Sequence, residues 1–279
     1  MATSLVDITG GESKQPLTII VKMHSTQDEL RHNITTNIKR DLPRFMQLPG
    51  LLYARNEPIA IVGGGPSLNT CIDQIRKFNH VMVCGSAHDH LVSLGVTPTF
   101  ALAVDAKEDS VNWFQNPQPK TSYLLASQCH PNMYEKLASH KVAMWHLKGQ
   151  LDGEKEVLGD EPSINWGCMV GVMSIQMCLY LGFQELHFFG MDGNHEGDQH
   201  HAYDVGDYAQ QSYENRTVFK CNGREFLSTT ALISQMEHFF DIFASSDGQF
   251  LKGYVHGDGL WANVIKASPP EMKQWLEAV

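Results

Sequence analysis

The chain has 279 residues, 42% of them hydrophobic and 19% charged, enough apolar material for a sizeable core and too much for a disordered tail. Asp and Glu number 31 against 21 Lys and Arg, a formal charge of −10, which argues against a protein whose main task is coating nucleic acid. The length indicates one α/β domain with additions at both ends. The six cysteines, Cys71, Cys84, Cys129, Cys168, Cys178 and Cys221, form no CxxC pair and sit mostly in apolar surroundings. They read as buried thiols in a reducing compartment, so a cytoplasmic location is expected. Residues 1–11 hold no basic segment followed by an apolar run, and no secretory leader is expected. The uncharged stretch 167–183 contains Ser174, Gln176 and several glycines, and reads as a buried helix rather than a membrane span.

Residues 1–15 are polar and are expected to be loosely ordered, with a short strand at 17–21. Ser25 or Thr26 then caps a helix that carries Asp28 and Glu29 in its first turn. Leu30, Ile34, Ile38 and Leu42 recur every fourth residue as one apolar stripe, closed by Pro43 and by Pro49-Gly50. From Pro58 onward, apolar strand-like runs at 59–62, 81–84, 100–104, 123–126, 142–145 and 186–189 alternate with helical runs near 68–78, 87–94, 110–114, 132–139 and 167–181. Continuous apolar strands separated by helices predict a Rossmann-like, doubly wound α/β fold with a mostly parallel sheet covered on both faces. Residues 191–224 form a polar segment rich in Asp, His, Gly and Asn, and a helix with Leu232, Met236, Phe239, Phe240 and Phe243 as its core face follows. The tail holds 254–256, a Gly-Asp-Gly turn at 257–259 and a short helix after Pro269-Pro270. The expected division is an N-terminal helical extension at 1–54, a nucleotide-binding domain at 55–245 and a C-terminal helical cap at 246–279.

Doubly wound sheets bind ligands at the carboxyl ends of their strands, so function is sought just after each strand. The sharpest signal is an apolar strand running into Gly63-Gly64-Gly65-Pro66-Ser67 before a helix. Glycines there let backbone N–H groups approach a phosphate, Pro66 suits a first helical turn, and Ser67 can donate to an anion. The pattern is neither GxGxxG nor a Walker loop, and a tight β–α turn without ligand is the competing reading. Gly85, Ser86, Asp105, Ser127 and Gln128 follow later strands and are candidates to line a nucleotide pocket, Asp105 through a ribose hydroxyl or a metal. Asn165-Trp166-Gly167-Cys168 puts small residues and backbone amides at the start of the long buried helix, where an anion is attracted. Asp192 ends a strand, and His195, Glu196, Asp198, His200, His201 and Asp204 crowd behind it. Their spacing matches no HExxH or EF-hand pattern, so a catalytic or nucleotide-contacting loop is expected and no resident metal.

Gly63-Gly64-Gly65-Pro66-Ser67-Leu68, then Leu94-Gly95-Val96-Thr97-Pro98 before a strand ending in Asp105, then the run from Leu181-Gly182 to Gly190-Met191-Asp192, together resemble one superfamily. It holds the motility accessory factor (Maf) flagellin glycosyltransferases and the MptE-like hydroxymethylpterin diphosphokinases, and is more distantly similar to bacterial CMP-sialic acid sialyltransferases. The resemblance spans roughly residues 55–245, and the segment from Cys221 to Thr230 shares it. It implies a nucleotide-binding transferase. It also implies that Gly63 to Ser67, Gly85 and Ser86, and Trp166 with Gly167 contact the nucleotide. At two positions the sequence departs from the sialyltransferase pattern: Arg224 stands where the general-base histidine would fall, and Gly85 or Ser86 replaces the usual asparagine.

The expected function is a glycosyltransferase using a nucleotide-sugar donor, CMP-sugar-like, without a required cofactor. In it Gly63, Gly64, Gly65 and Ser67 hold donor phosphate, His200 or His201 deprotonates an acceptor hydroxyl, and Arg224 or Lys220 stabilises the leaving phosphate. The acceptor is a glycan, a protein hydroxyl or a small molecule; neither nucleic acid nor membrane is an expected partner, and a homo-oligomer is allowed. One alternative is a diphosphokinase moving pyrophosphate from ATP to a hydroxymethyl group, with Mg²⁺ on Asp105 and Asp192. The other is a non-catalytic nucleotide- or glycan-binding module.

Overall fold

The computed structural model describes residues 5–7, 25–47, 57–164, 169–205, 216–245, 250–268, 270 and 272–279. β1 (Leu5–Asp7) is followed by α1 (Gln27–Asn37), β2 (Ile59–Val62), α2 (Leu68–Ile75), β3 (His80–Cys84) and α3 (Ala87–Ser93). Next come β4 (Phe100–Ala103), β5 (Ser122–Ala126), α4 (Pro131–Lys136), β6 (Lys141–Leu147), α5 (Glu154–Leu158) and β7 (Ser163–Ile164). The remainder holds α6 (Val170–Tyr180), β8 (Glu185–Phe189), β9 (Arg216–Cys221) and β10 (Arg224–Thr229). It ends with α7 (Thr230–Ala244), β11 (Lys252–Val255), α8 (Leu260–Ala267) and β12 (Leu276–Ala278).

Nine strands form one sheet in the order β12-β11-β8-β2-β3-β4-β5-β6-β7, and each of these pairings is parallel. Every residue of β2 is buried, as a central strand covered on both faces requires. The chain runs outward from β2 to β7, then returns to the opposite side of β2 as β8 and continues outward through β11 and β12. The winding direction therefore reverses between β2 and β8, and a crevice opens beyond their carboxyl ends. All six expected strands lie in this sheet. The expected helices follow, except that Glu108–Phe114 is a 3-10 helix.

Thr26 rather than Ser25 caps α1, with a reciprocal bond from Glu29, and Leu30 and Ile34 are buried. The helix stops at Asn37, so Ile38 and Leu42 pack against the core from beyond its end. The C-terminal segment is more than a helical cap. β11 and β12 extend the main sheet, α8 precedes the two prolines, and only a 3-10 turn, Met272–Gln274, follows them. β11 lacks a continuous apolar run because Gly253 interrupts it; a Cβ there would lie 2.6 Å from Phe243 and 2.7 Å from Leu276. Nor is 191–224 all irregular: β9 and β10 make an antiparallel hairpin, and β1 pairs parallel with β9. Asn222 (φ +51°) and Gly223 (φ +71°) form its two-residue turn, a pairing that favours such hairpins. The expected strand at 17–21, Pro49-Gly50, and the helix start at 165–168 lie outside the described residues. Cys71, Cys84, Cys129, Cys178 and Cys221 are buried thiols, and burial pushes Cys84 up to about 12. Among the described residues no helix is long and apolar enough to cross a membrane.

Candidate functional site

The glycine turn and the exit of β8 meet at the crevice, backbone on backbone. Gly63 N–H donates to Phe189 O (2.8 Å) and Gly65 N–H to Gly190 O (2.8 Å), so the β2–β8 ladder continues past both strands. A Cβ on Gly63 would lie 2.7 Å from Gly190 O, one on Gly65 would strike the Asp192 carboxylate, and one on Gly190 would lie 2.6 Å from Gly63 O. Two of the three amides expected to meet phosphate are thus bonded to β8. Gly64 is covered as well. Ala202 N–H donates to its carbonyl (2.9 Å), and a Cβ there would strike His201 and the Tyr203 hydroxyl. Pro66 and Ser67 lie behind the turn at the start of α2, outside the cleft lining.

Asp192 ties three segments together. It is 4% exposed, and its Oδ2 accepts the Ser67 N–H at 3.0 Å, capping α2 where Ser67's own side chain does not. Its carbonyl accepts the Trp261 N–H (3.1 Å) at the start of α8, and Gly259 packs so closely on it that a Cβ there would lie 2.6 Å from Asp192 Cα. Burial raises its pKa, and Glu196 adds to the rise.

A cleft of about 350 Å³ opens over this junction. One end lies beyond β3 and β4, where Gly85, Ser86, Val104, Asp105 and Trp113 line it. Gly85 takes φ +50°, and the Trp113 ring passes 3.7 Å from where its Cβ would stand. Ser86 Oγ shares a hydrogen bond with Tyr203 Oη (2.9 Å), and Asp105 Oδ1 accepts the Lys107 N–H (3.0 Å). The floor is Gly63 to Gly65 and the start of α6, Val170 and Gly171, whose cap residue Met169 makes no side-chain bond to the helix. The far end is Gly193 and Asn194 with Ala231, Leu232 and Gln235 of α7 and Trp261 of α8.

His200 and His201 also line the cleft, and His195 is buried behind them. Ring centroids are 5.4 Å apart between His195 and His200, and 4.1 Å between His200 and His201. Burial lowers all three, His195 and His201 to about 4 and His200 to about 3, and Arg216 adds to the effect at His195 and His200. The imidazoles are therefore neutral at pH 7 and do not titrate near 6.5. Among the described residues no group of three His, Cys, Asp or Glu side chains is placed to hold a metal ion.

The expected residues divide accordingly. Gly63, Gly64, Gly65, Gly85, Ser86, Asp105, Asp192, His200 and His201 share one cleft. Ser127 does not join them. Its Oγ pairs with His146 Nδ1 (2.9 Å), and its carbonyl accepts Asn37 Nδ2 (2.9 Å), because α1 docks on the end of β5. Arg224 sits on the β9–β10 hairpin, ion-paired to Asp258 (2.6 Å) and over the Phe226 ring, and Lys220 pairs with Glu225. Neither lines the cleft. Trp166 and Gly167 lie outside the described residues. Trp113, Gln235 and Trp261 were not singled out in the sequence. Each stands on a helical element with an ordinary apolar pattern, and nothing local marks which face meets the cleft.

Comparison with known proteins agrees with this architecture. A family model described as "6-hydroxymethylpterin diphosphokinase MptE-like" matches residues 28–197. A MAf glycosyltransferase from Magnetospirillum magneticum AMB-1 superposes with a TM-score of 0.66 at 18% identity over 84% of this chain and 36% of that one. The chain thus spans about a third of that protein's length. The Campylobacter jejuni sialyltransferase CstII, solved with cytidine-5'-monophosphate, gives 0.40 at 12% identity over 72% of this chain and 80% of that one. A mammalian sialyltransferase gives 0.38 at 13% identity over 72% and 75%. No curated protein matches the sequence. The family match takes in more than half of the chain and both strands of the crevice, and the chain belongs to the MptE-like family.

Proposed function

We propose that the chain is a nucleotide-dependent transferase, a glycosyltransferase taking its sugar from a nucleotide-sugar donor of the CMP-sugar kind. The observation that carries the reading is the cleft at the β2–β8 switch point, lined by the start of α6, whose cap residue Met169 makes no side-chain bond to the helix. First-turn N–H groups lack intrahelical partners and attract anions, so Val170 and Gly171 replace the glycine amides as the expected phosphate contacts. In the transfer, the bond from sugar to donor phosphate breaks and a bond from sugar to acceptor oxygen forms. The acceptor's proton passes to a neutral imidazole, His200 or His201, and the charge on the departing phosphate is met by the α6 dipole. Arg224 and Lys220 take no part.

One observation favours a second reading. Asp105 and Asp192 both line the cleft, and among the described residues no lysine or arginine does. A diphosphokinase that moves pyrophosphate from ATP to a hydroxymethyl group needs Mg²⁺, which is commonly held by one or two carboxylates together with substrate phosphates. The two aspartates fit that partial role, and no three-residue cage is required of the protein.

A thermal-shift screen of CMP, UDP, GDP and ATP, each with and without Mg²⁺, separates these. A ligand at a hundred times its dissociation constant adds about 2.7 kcal/mol of stability. Stabilisation by CMP without metal supports the glycosyltransferase, and stabilisation by ATP only with Mg²⁺ supports the diphosphokinase. If no nucleotide raises the melting temperature, both readings fall.

A further inference from the structure

We propose that Gln235 and Trp261 form a hydroxyl-binding subsite at the α7–α8 end of the cleft, and that it takes a polyhydroxylated ligand of the sugar class as acceptor. The acceptor role rests on the transferase reading; the hydroxyl chemistry does not.

Trp261 is 1% exposed, yet its indole Nε1–H finds no acceptor among the described residues. The buried Gln235 Oε1 likewise finds no donor among the described residues. Leaving such groups unpaired forfeits hydrogen bonds that water would supply, so the fold retains two unfavourable groups in one cleft. Both side chains line the same cleft. Gln235 and Phe239 share a face of α7, one turn apart, and the Phe239 ring packs on Trp261 with centroids at 4.8 Å. The orphan acceptor and the orphan donor thus line one cleft, on helices joined through the Phe239–Trp261 ring contact.

One unpaired donor beside one unpaired acceptor, both neutral, selects the ligand chemistry. A phosphate only accepts and an ammonium only donates, whereas a hydroxyl does both. A ligand carrying several hydroxyl groups can accept from Trp261 Nε1 and donate to Gln235 Oε1. Ala231, Leu232 and the indole add an apolar wall suited to the C–H face of a sugar ring. The donor is also held in place. Trp261 N–H is fixed on Asp192 O (3.1 Å), and Gly193, at φ +69°, leaves its Cβ space to the indole. His200 and His201 line the same cleft, so a molecule bound here shares it with the proposed base.

The chain has five tryptophans, so the indole N–H of Trp261 can be assigned by its loss in Trp261→Phe. The test titrates ¹⁵N-tryptophan-labelled protein with glucose, galactose, N-acetylgalactosamine and glycerol. Each is raised to about 50 mM, enough to saturate a site with a dissociation constant of about 1 mM. The expected result is a saturable shift of the Trp261 indole resonance with at least one sugar. It should weaken about tenfold in Gln235→Met and persist in Gln235→Glu, which keeps an acceptor oxygen. A resonance unmoved by every probe, meaning that water alone serves these atoms, overturns the proposal, and so does a shift undiminished by Gln235→Met. The titration of the unsubstituted chain decides even if the variant fails to fold. CMP, UDP, GDP and ATP titrated into the same sample report separately: sugars that bind where no nucleotide does would remove the transferase reading and leave the subsite standing.

Discussion

Asp192 combines a structural bond with a position at the centre of the cleft, and the two are separable by substitution. Its Oδ2 only accepts, from Ser67 N–H, and an asparagine oxygen can accept the same bond. Burial raises the carboxyl's pKa, so its ionised form is disfavoured in the fold and the amide relieves that cost. Asp192→Asn is expected to melt at or above the temperature of the parent at pH 7 while losing most of its transferase rate. A parallel fall in melting temperature and rate would make the residue a cap and nothing more. The histidines have the opposite titration. His195, His200, His201 and His256 are held at about 3 to 4, well below the 6.5 of an unfolded imidazole. Between those values the unfolded chain binds protons that the folded chain does not, so stability falls as pH drops from about 6.5 to about 4. Urea unfolding at pH 7, 5.5 and 4.5 measures that fall, and a midpoint that stays level would show these rings to be solvated. The same depression moves the acid limb of a histidine-dependent rate from 6.5 to about 4. A limb at 6.5 would place the base elsewhere.

At the scale of elements, α1 is docked by two buried asparagines rather than by its apolar stripe alone. Asn33 Nδ2 donates to Ala106 O (2.9 Å) and Gln128 O (3.0 Å), and Asn37 Nδ2 donates to Ser127 O (2.9 Å) and Cys129 O (2.8 Å). These four carbonyls belong to loops after β4 and β5, so the N-terminal helix seals the end of the sheet beside the cleft without entering it. Asn37→Ala would leave two carbonyls unpaired, and about 2 kcal/mol or more of stability should go with them. Chemical denaturation gives the loss, and hydrogen exchange should localise it to α1 and the loop after β5. Nucleotide affinity should hold, because Ser127 lies outside the cleft; a matching loss of affinity would return Ser127 to the binding site.

For the molecule as a whole, the C-terminal segment completes the sheet. β11 covers β8, β12 covers β11, and α8 supplies Trp261 to both Asp192 and the cleft. A chain ending at residue 245 would leave β8 as an unpaired edge, uncover the Phe239 and Phe243 rings, and remove the partner of the Asp192 carbonyl. Residues 1–245 alone are expected to aggregate or to bind a hydrophobic dye in a loosely packed state, although the family match ends at residue 197. A soluble, cooperatively melting 1–245 chain would show that the segment is dispensable.

The sequence alone determined β2 to β6 and β8, because burial on both faces of a parallel sheet writes a continuous apolar run into each strand; the short α5 and β7 carry no such run and were not expected. It also marked Gly63 to Gly65 and Asp192 as strand-end residues, and it carried the Asn222-Gly223 turn signal without a clear apolar alternation to place the strands. Only the tertiary structure decided that β8 returns beside β2, since strand order is set by contacts far apart in the chain. That placement gave the glycines their use. A glycine is required equally where a phosphate approaches and where another backbone does, and here Gly63 and Gly65 meet the backbone of β8. Burial likewise set the histidine pKa values, and the packing of Phe239 of α7 on Trp261 of α8 set Gln235 and Trp261 in one cleft. A titration depends on how much water the fold removes, and a meeting of two helices on how they pack, neither of which the local residue pattern records.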